Sequence, residues 1–297
     1  MKPVKRSLTW KIKQMAWAFT AIPVCALIAG VGHAQNFQNG SNLPAVTPHE
    51  AASYADLVAL ADRSEMVIRA QIRRQTTVQP ERAPGLAPGF ARLYIQARTQ
   101  ALIAGNRGIA QEFAYLVDVP LTAKGKPPKL KKTEVLLFAN PVAGRPGNIQ
   151  LSGKSAQFAY SPMLEQRITP ILRALIAADA PPVVTGISDA LAVPGTLVGE
   201  SETQVFLSTL SGAPVSLTVT RRPNQAPSWG VSWGEIIDAS ARAPQPGSLQ
   251  WYRLACALPA NLPSNANLAR DPAARRLATQ DYTYVMEQLG PCGKRVT

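Results

Sequence analysis

Histidine and cysteine are scarce in this chain, with two and three copies in 297 residues. His33 falls near the start, so His49 alone is left to the rest of the chain. A Ser-His-Asp or Cys-His relay would have to be built on that one imidazole. A zinc site needs more donors than one His and two cysteines that pair with each other. There is no Gly-rich phosphate loop, and no strand-turn-helix nucleophile elbow is expected. No catalytic residue, metal or cofactor is therefore expected.

Negative charge is missing from the beginning. The first fourteen residues carry Lys2, Lys5, Arg6, Lys11 and Lys13 with no acid, and residues 15–31 carry no charge at all. A basic start followed by an apolar run is the pattern of a secretory signal, and Gly32-His33-Ala34 offers small residues where a signal peptidase reads. Residues 1–34 are thus expected to be removed, sending a chain that starts at Gln35 to the periplasm or outside the cell. The alternative is an inner-membrane anchor. Against it, a run of this length reaches only about 25 Å, short of a hydrocarbon core of roughly 30 Å, and Pro23 interrupts it. Removing residues 1–34 takes five positive charges from 31 and leaves 26 Lys and Arg against 18 Asp and Glu, a net charge of +8. Cys256 and Cys292 remain, and an even pair in an exported chain reads as a disulfide.

What is present divides the chain. Residues 35–46 form a polar tail, and residues 47–160 a basic domain that opens on a helix capped by Thr47-Pro48-His49-Glu50, with Ala51, Tyr54, Leu57, Val58 and Ala61 on one face. Five strands follow, at 66–78, 92–103, 111–119, 133–139 and 148–151, the first two joined by the Pro- and Gly-rich hairpin loop QPERAPGLAPGF. Five strands and one helix predict a small barrel-like unit, OB-like or a sandwich. Residues 161–182 read as a connecting helix opened by Ser161-Pro162 and kinked or broken near Pro170. Residues 183–297 read as an antiparallel β-meander domain, with a strand at 249–258 and a C-terminal helix from Asp271-Pro272 to Leu289. The fold class is β-rich α+β.

Charge is uneven between the two parts. Residues 46–160 hold 15 positive and 8 negative side chains, against 11 and 10 in residues 161–297. Lys124, Lys126, Lys129, Lys131 and Lys132 lie within nine residues, and alternation puts Arg69, Gln71 and Arg73 on one strand face and Arg92, Tyr94, Gln96 and Arg98 on another. These lysines with Arg69, Arg73, Arg92 and Arg98 form the candidate binding surface, because clustered positive charge concentrates anions. One tyrosine is too little stacking surface for nucleic acid, and export leads away from it. Anionic envelope polymers or lipid head groups fit the compartment. The plainer account is a solvated sheet face whose lysines discourage edge-to-edge pairing.

Two further groups stand out in the second half of the chain. The carboxylate pairs Glu200 with Glu202 and Glu235 with Asp238 are of the kind glycosidases use, which makes a carboxylate-dependent hydrolase of envelope glycans the alternative to a non-catalytic binding or scaffolding protein. Trp229, Trp233, Trp251 and Tyr252 could line a sugar groove or fill a β-domain core.

The stretch from Asp56 to Gln71, with LKKTEVLLFANPV, ETQVFLST and WYRLACALP, resembles a group of uncharacterised exported proteins of Gram-negative bacteria across residues 50–293. The resemblance implies export and a shared architecture, and it carries over no activity and no functional residue.

Overall fold

The computed structural model describes residues 52–236 and 241–293. The expected signal sequence, the polar tail, the Thr47–Glu50 cap and Asp238 lie outside these residues. The first described helix, α1 (Tyr54–Asp62), carries its own cap. Ser53 Oγ accepts from the Asp56 amide at 3.1 Å, and Asp56 Oδ2 accepts from the Ser53 amide at 2.8 Å. This reciprocal pair satisfies donors that a helix start leaves open.

Six strands make the first sheet: β1 (Met66–Thr77), β2 (Phe90–Gly105), β3 (Glu112–Pro120), β4 (Glu134–Pro141), β5 (Ile149–Leu151) and β6 (Gln157–Ala159). Their order is β3-β2-β1-β4-β5, with β6 also on β4, and every pairing is antiparallel. The short strand β6 adds to the five expected. Alternation turns Ile68, Ala70 and Ile72 of β1, Leu93 and Ile95 of β2, and Val135 and Leu137 of β4 into one core. β4 is buried on both faces, since Leu136 and Phe138 point the other way, under the helices. The unbroken apolar run VLLF is what such a doubly covered strand requires. The outermost strands β3 and β5 run parallel and meet at one isolated bridge, Ala114 to Asn148, where the Ala114 amide donates to the Gly147 carbonyl at 2.8 Å.

Helix α2 (Pro162–Ile176) is capped by Ser161, as the Ser-Pro opening predicts, and runs on through Pro170. Beyond it lies a second antiparallel sheet in the order β10-β9-β8-β7, made of β7 (Val184–Pro194), β8 (Ser201–Thr209), β9 (Val215–Arg221) and β10 (Ser228–Ser232). Its inner face, with Val205, Leu217 and Val219, packs against the C-terminal helix α4 (Pro272–Leu289) through Tyr282 and Val285. Under α4 the buried carboxylate Asp281 accepts from Arg221 Nε at 2.6 Å and from the Thr203 hydroxyl.

The segment expected as a strand at 249–258 is instead helix α3 (Leu249–Ala255). Ser248 caps it by accepting from the Trp251 amide at 3.1 Å. The aromatic pair Trp251-Tyr252 suggests a strand by composition, but Leu249, Tyr252 and Arg253 recur at helical spacing and are buried, together with Leu254 and Ala255.

Helices α1, α2 and α3 share a third core with β4 and β6, where Leu57, Phe138, Phe158, Leu164, Ile168 and Tyr252 meet. A bidentate ion pair joins Arg253 of α3 to Asp62 of α1 at 2.7 and 3.0 Å. Cys256 and Cys292 form the expected disulfide, with sulfurs 2.08 Å apart, which ties the end of α3 to the end of α4. Among the described residues no helix is long and apolar enough to cross a membrane.

Candidate functional site: the basic surface of the first sheet

The lysine-rich segment between β3 and β4 is pinned to the sheet. The Gln75 side chain holds it with both ends of its amide: Nε2 donates to the Pro128 carbonyl at 2.8 Å and Oε1 accepts from the Leu130 amide at 2.5 Å. The Lys132 amide then donates to the Ile72 carbonyl at 2.7 Å, and the Ile72 amide to the Thr133 carbonyl at 3.0 Å. Leu130 enters the core of the first sheet and is 1% exposed. Lys129 and Lys131 flank it on the wet side, and Lys132 turns the chain with a φ of 72°. Lys124 and Lys126 sit further back, in a tight turn closed by the Thr122 amide donating to the Lys126 carbonyl at 2.9 Å. All five lysines are exposed.

The four candidate arginines do not act as one group. Arg69 donates to Glu134 at 2.8 and 3.1 Å and lies 3.9 Å from the centre of the Tyr160 ring. The Tyr160 hydroxyl in turn donates to Glu165 at 2.8 Å, a bond that raises its pKa. Arg69 is thus a structural cation joining β1, β4 and the start of α2. Arg92 makes a bidentate pair with Asp118 at 2.7 and 2.8 Å. It lies six residues along β2 from Arg98, about 20 Å at strand rise. Arg98 is exposed opposite Gln71 and Glu112. Arg73 occupies a bulge, where its Nη1 donates to Gln71 Oε1 at 3.0 Å. The bulge brings Arg74 into register opposite Gln96, so a second exposed cation, unnoticed in the sequence, joins the surface. Arg73 follows Ile72, the residue that binds Lys132, so the lysine segment joins β1 next to Arg73 and Arg74; Arg98 lies opposite Gln71 on β2, and Arg69 and Arg92 are each engaged in an ion pair.

A cleft of about 1020 Å³ lies along the seam between β3 and β5. Arg92, Asp118 and Tyr94 line it, together with Arg82, Arg145 and Lys154 from three separate turns. None of the last three was singled out from sequence, because each is an isolated cation at a loop tip. On the inner side Tyr115 donates to Gln157 Oε1 at 2.6 Å. Burial pushes the Tyr115 hydroxyl well above the ordinary tyrosine pKa, and Gln157 Nε2 is buried without a hydrogen-bond partner among the described residues.

The carboxylates of the first pair are engaged locally. Glu200 Oε2 accepts from the amides of Thr196 and Leu197 at 3.2 and 3.3 Å and so closes the turn before β8. Glu202 accepts from Gln204 at 2.6 Å, and Glu235 is exposed. Trp229, Trp233 and Trp251 pack on the second core, and Trp251 Nε1 donates to the Leu289 carbonyl at 2.8 Å. Residues Gly230 to Gly234 spell the letters G-x-S-x-G, but Ser232 ends an antiparallel strand and is buried, with no helix directly following it among the described residues. A nucleophile elbow needs a strand-turn-helix setting that exposes its serine. Among the described residues no group of three or more His, Cys, Asp or Glu side chains is placed to hold a metal. Compared with known proteins, the chain matches no family model and no curated protein significantly.

Proposed function

We propose that this is an exported envelope protein with a non-catalytic binding or scaffolding role, docking anionic polymers or lipid head groups through the basic surface of its first sheet. The observation that carries the reading is the anchoring of the lysine segment: Gln75 and Leu130 hold Lys129, Lys131 and Lys132 against the stretch of β1 that carries Arg73 and Arg74. Fixed cations meet an anionic chain without first losing the freedom that a loose loop would lose. The first unit is read as a partly open, OB-like barrel, a reading supported by the bridge between β3 and β5. Barrels of that kind present a strand face to extended ligands. Export rests on the N-terminal pattern of charge and hydropathy.

The hydrolase alternative draws less support, because Glu200 and Glu202 already accept local hydrogen bonds. The test is chromatography of the chain from Gln35 on a sulfated polysaccharide matrix. Retention should be strong at low salt, and reversing Lys129, Lys131 and Lys132 to Glu should bring elution to clearly lower salt. Equal elution of the two proteins would remove the lysine segment from the account.

A further inference from the structure

We infer that the cleft between β3 and β5 is a shaped binding site for an acidic oligosaccharide, one bearing uronate carboxylates. The inference rests on the reading that the first sheet recognises anionic envelope polymers, and adds to it a specific site separate from the lysine segment.

Three features of the cleft lead there. The first is uncompensated charge. Asp118 is the only carboxylate among the lining residues, and both its oxygens are taken by Arg92. Arg82, Arg145 and Lys154 are exposed, and their side chains have no ion-pair or hydrogen-bond partner among the described residues. They come from the turn after β1, the turn between β4 and β5, and the turn after β5, so the cleft gathers cations that the sequence scatters. Arginine in particular offers two parallel donors to a carboxylate.

The second feature is an apolar platform left open among these charges. Tyr94 and Leu116 are directly opposite on β2 and β3, and both line the cleft with 38% and 51% of their surface exposed. A tyrosine has an apolar face and a polar tip, which suits a sugar ring, whose C–H face is apolar and whose rim carries hydroxyls. Thr76, Asn148 and Gln150 supply neutral hydrogen-bonding groups in the same cleft. Cations for the carboxylates, an aromatic face for the ring and amides for the hydroxyls are together the chemistry of an acidic sugar.

The third feature is size and shape. At about 1020 Å³ the cleft lies at the upper end of the range for small-ligand sites, which gives room for a short oligomer. It is concave, so the flat surface of a bilayer cannot follow it, and that separates this site from one for lipid head groups.

The experiment is isothermal titration of the chain from Gln35 with a trimer of galacturonic acid, with its methyl ester as the uncharged control. The wild type should bind the trimer saturably, and the ester should bind at least about tenfold more weakly for want of charge-assisted hydrogen bonds. Tyr94→Ala and the double variant R145E/K154E should each weaken binding by about tenfold or more, while Tyr94→Phe keeps most of it. All of these positions are exposed, and unchanged melting curves would show that the variants fold. The lysine-segment variant K129E/K131E/K132E should bind the trimer within about twofold of wild type, since exposed charges outside the cleft act through screening solvent. Equal binding of trimer and ester, wild-type binding by the cleft variants, or no binding of the trimer at low salt would overturn the inference. So would anionic vesicles whose binding, rather than that of the trimer, is lost on R145E/K154E. Trimer binding that persists while the polysaccharide matrix ignores the lysine segment would defeat only the wider reading.

Discussion

Gln75 shows how one side chain determines what a run of lysines can do. Its amide replaces two backbone partners for the segment at Pro128 and Leu130. Gln75→Leu should therefore cost about 1 to 3 kcal/mol. It should also raise amide exchange selectively in residues 128–132, and unchanged exchange there would mean that Leu130 alone holds the segment. Tyr115 and Tyr282 set a second expectation. Burial raises both hydroxyls well above the ordinary tyrosine value, so the folded chain keeps two protons that the unfolded chain gives up near pH 10. Their contribution is complete below about pH 10 and is lost as pH rises beyond it. Melting temperature should fall steeply above that pH, with tyrosinate absorbance at 295 nm rising together with unfolding. Two buried tyrosines that ionise freely in a still-folded chain would contradict this.

Among the elements, α3 holds the molecule's least expected contacts. Arg253 is nearly buried, with 7% of its side chain exposed, and its guanidinium meets Asp62 of α1, whose side chain is 27% exposed. Removing the acid by Asp62→Ala strands a buried cation and should cost about 3 kcal/mol, the low end for a buried pair because Asp62 is partly wet. Replacing both residues with Leu should recover much of that loss in chemical denaturation, and an equal loss in the double variant would argue against the ion pair. This helix was also where the sequence misled, since Trp251-Tyr252 and Cys256 favour a strand by composition. Only the Ser248 cap and the spacing of Leu249, Tyr252 and Arg253 indicate a helix. Strands β1 and β4 were legible because alternation in one and an unbroken apolar run in the other each correspond to a single burial pattern. Strand β7 is hard to read from sequence, because Gly186, Asp189 and Pro194 weaken its pattern and bulges interrupt its register. The bulge before Arg74 hid that residue in the same way. The cleft was not legible at all, since Arg82, Arg145 and Lys154 come together only once β5 lies beside β3.

For the whole molecule, two antiparallel sheets keep separate cores, and helices α1, α2 and α3 supply a third that draws on both parts of the chain. The excess positive charge belongs to the part with the first sheet, where the lysine segment, Arg73, Arg74 and Arg98 lie and the cleft opens. Charges that dock an anionic chain act by releasing its counterions, so the logarithm of the affinity should fall linearly with the logarithm of salt concentration. Reversing exposed lysines should change that slope while leaving folding nearly untouched, because exposed ion pairs contribute only about 0 to 1 kcal/mol. The central claim is tested most directly by the salt dependence of binding to a linear polyanion of fixed length, for the wild type and K129E/K131E/K132E. The account predicts tight binding by the wild type at low salt with a steep slope, and weaker binding by the variant with the slope reduced by about three, near one unit per lysine, at an unchanged melting temperature. Identical slopes for the two proteins, or no binding by the wild type even at low salt, would contradict it.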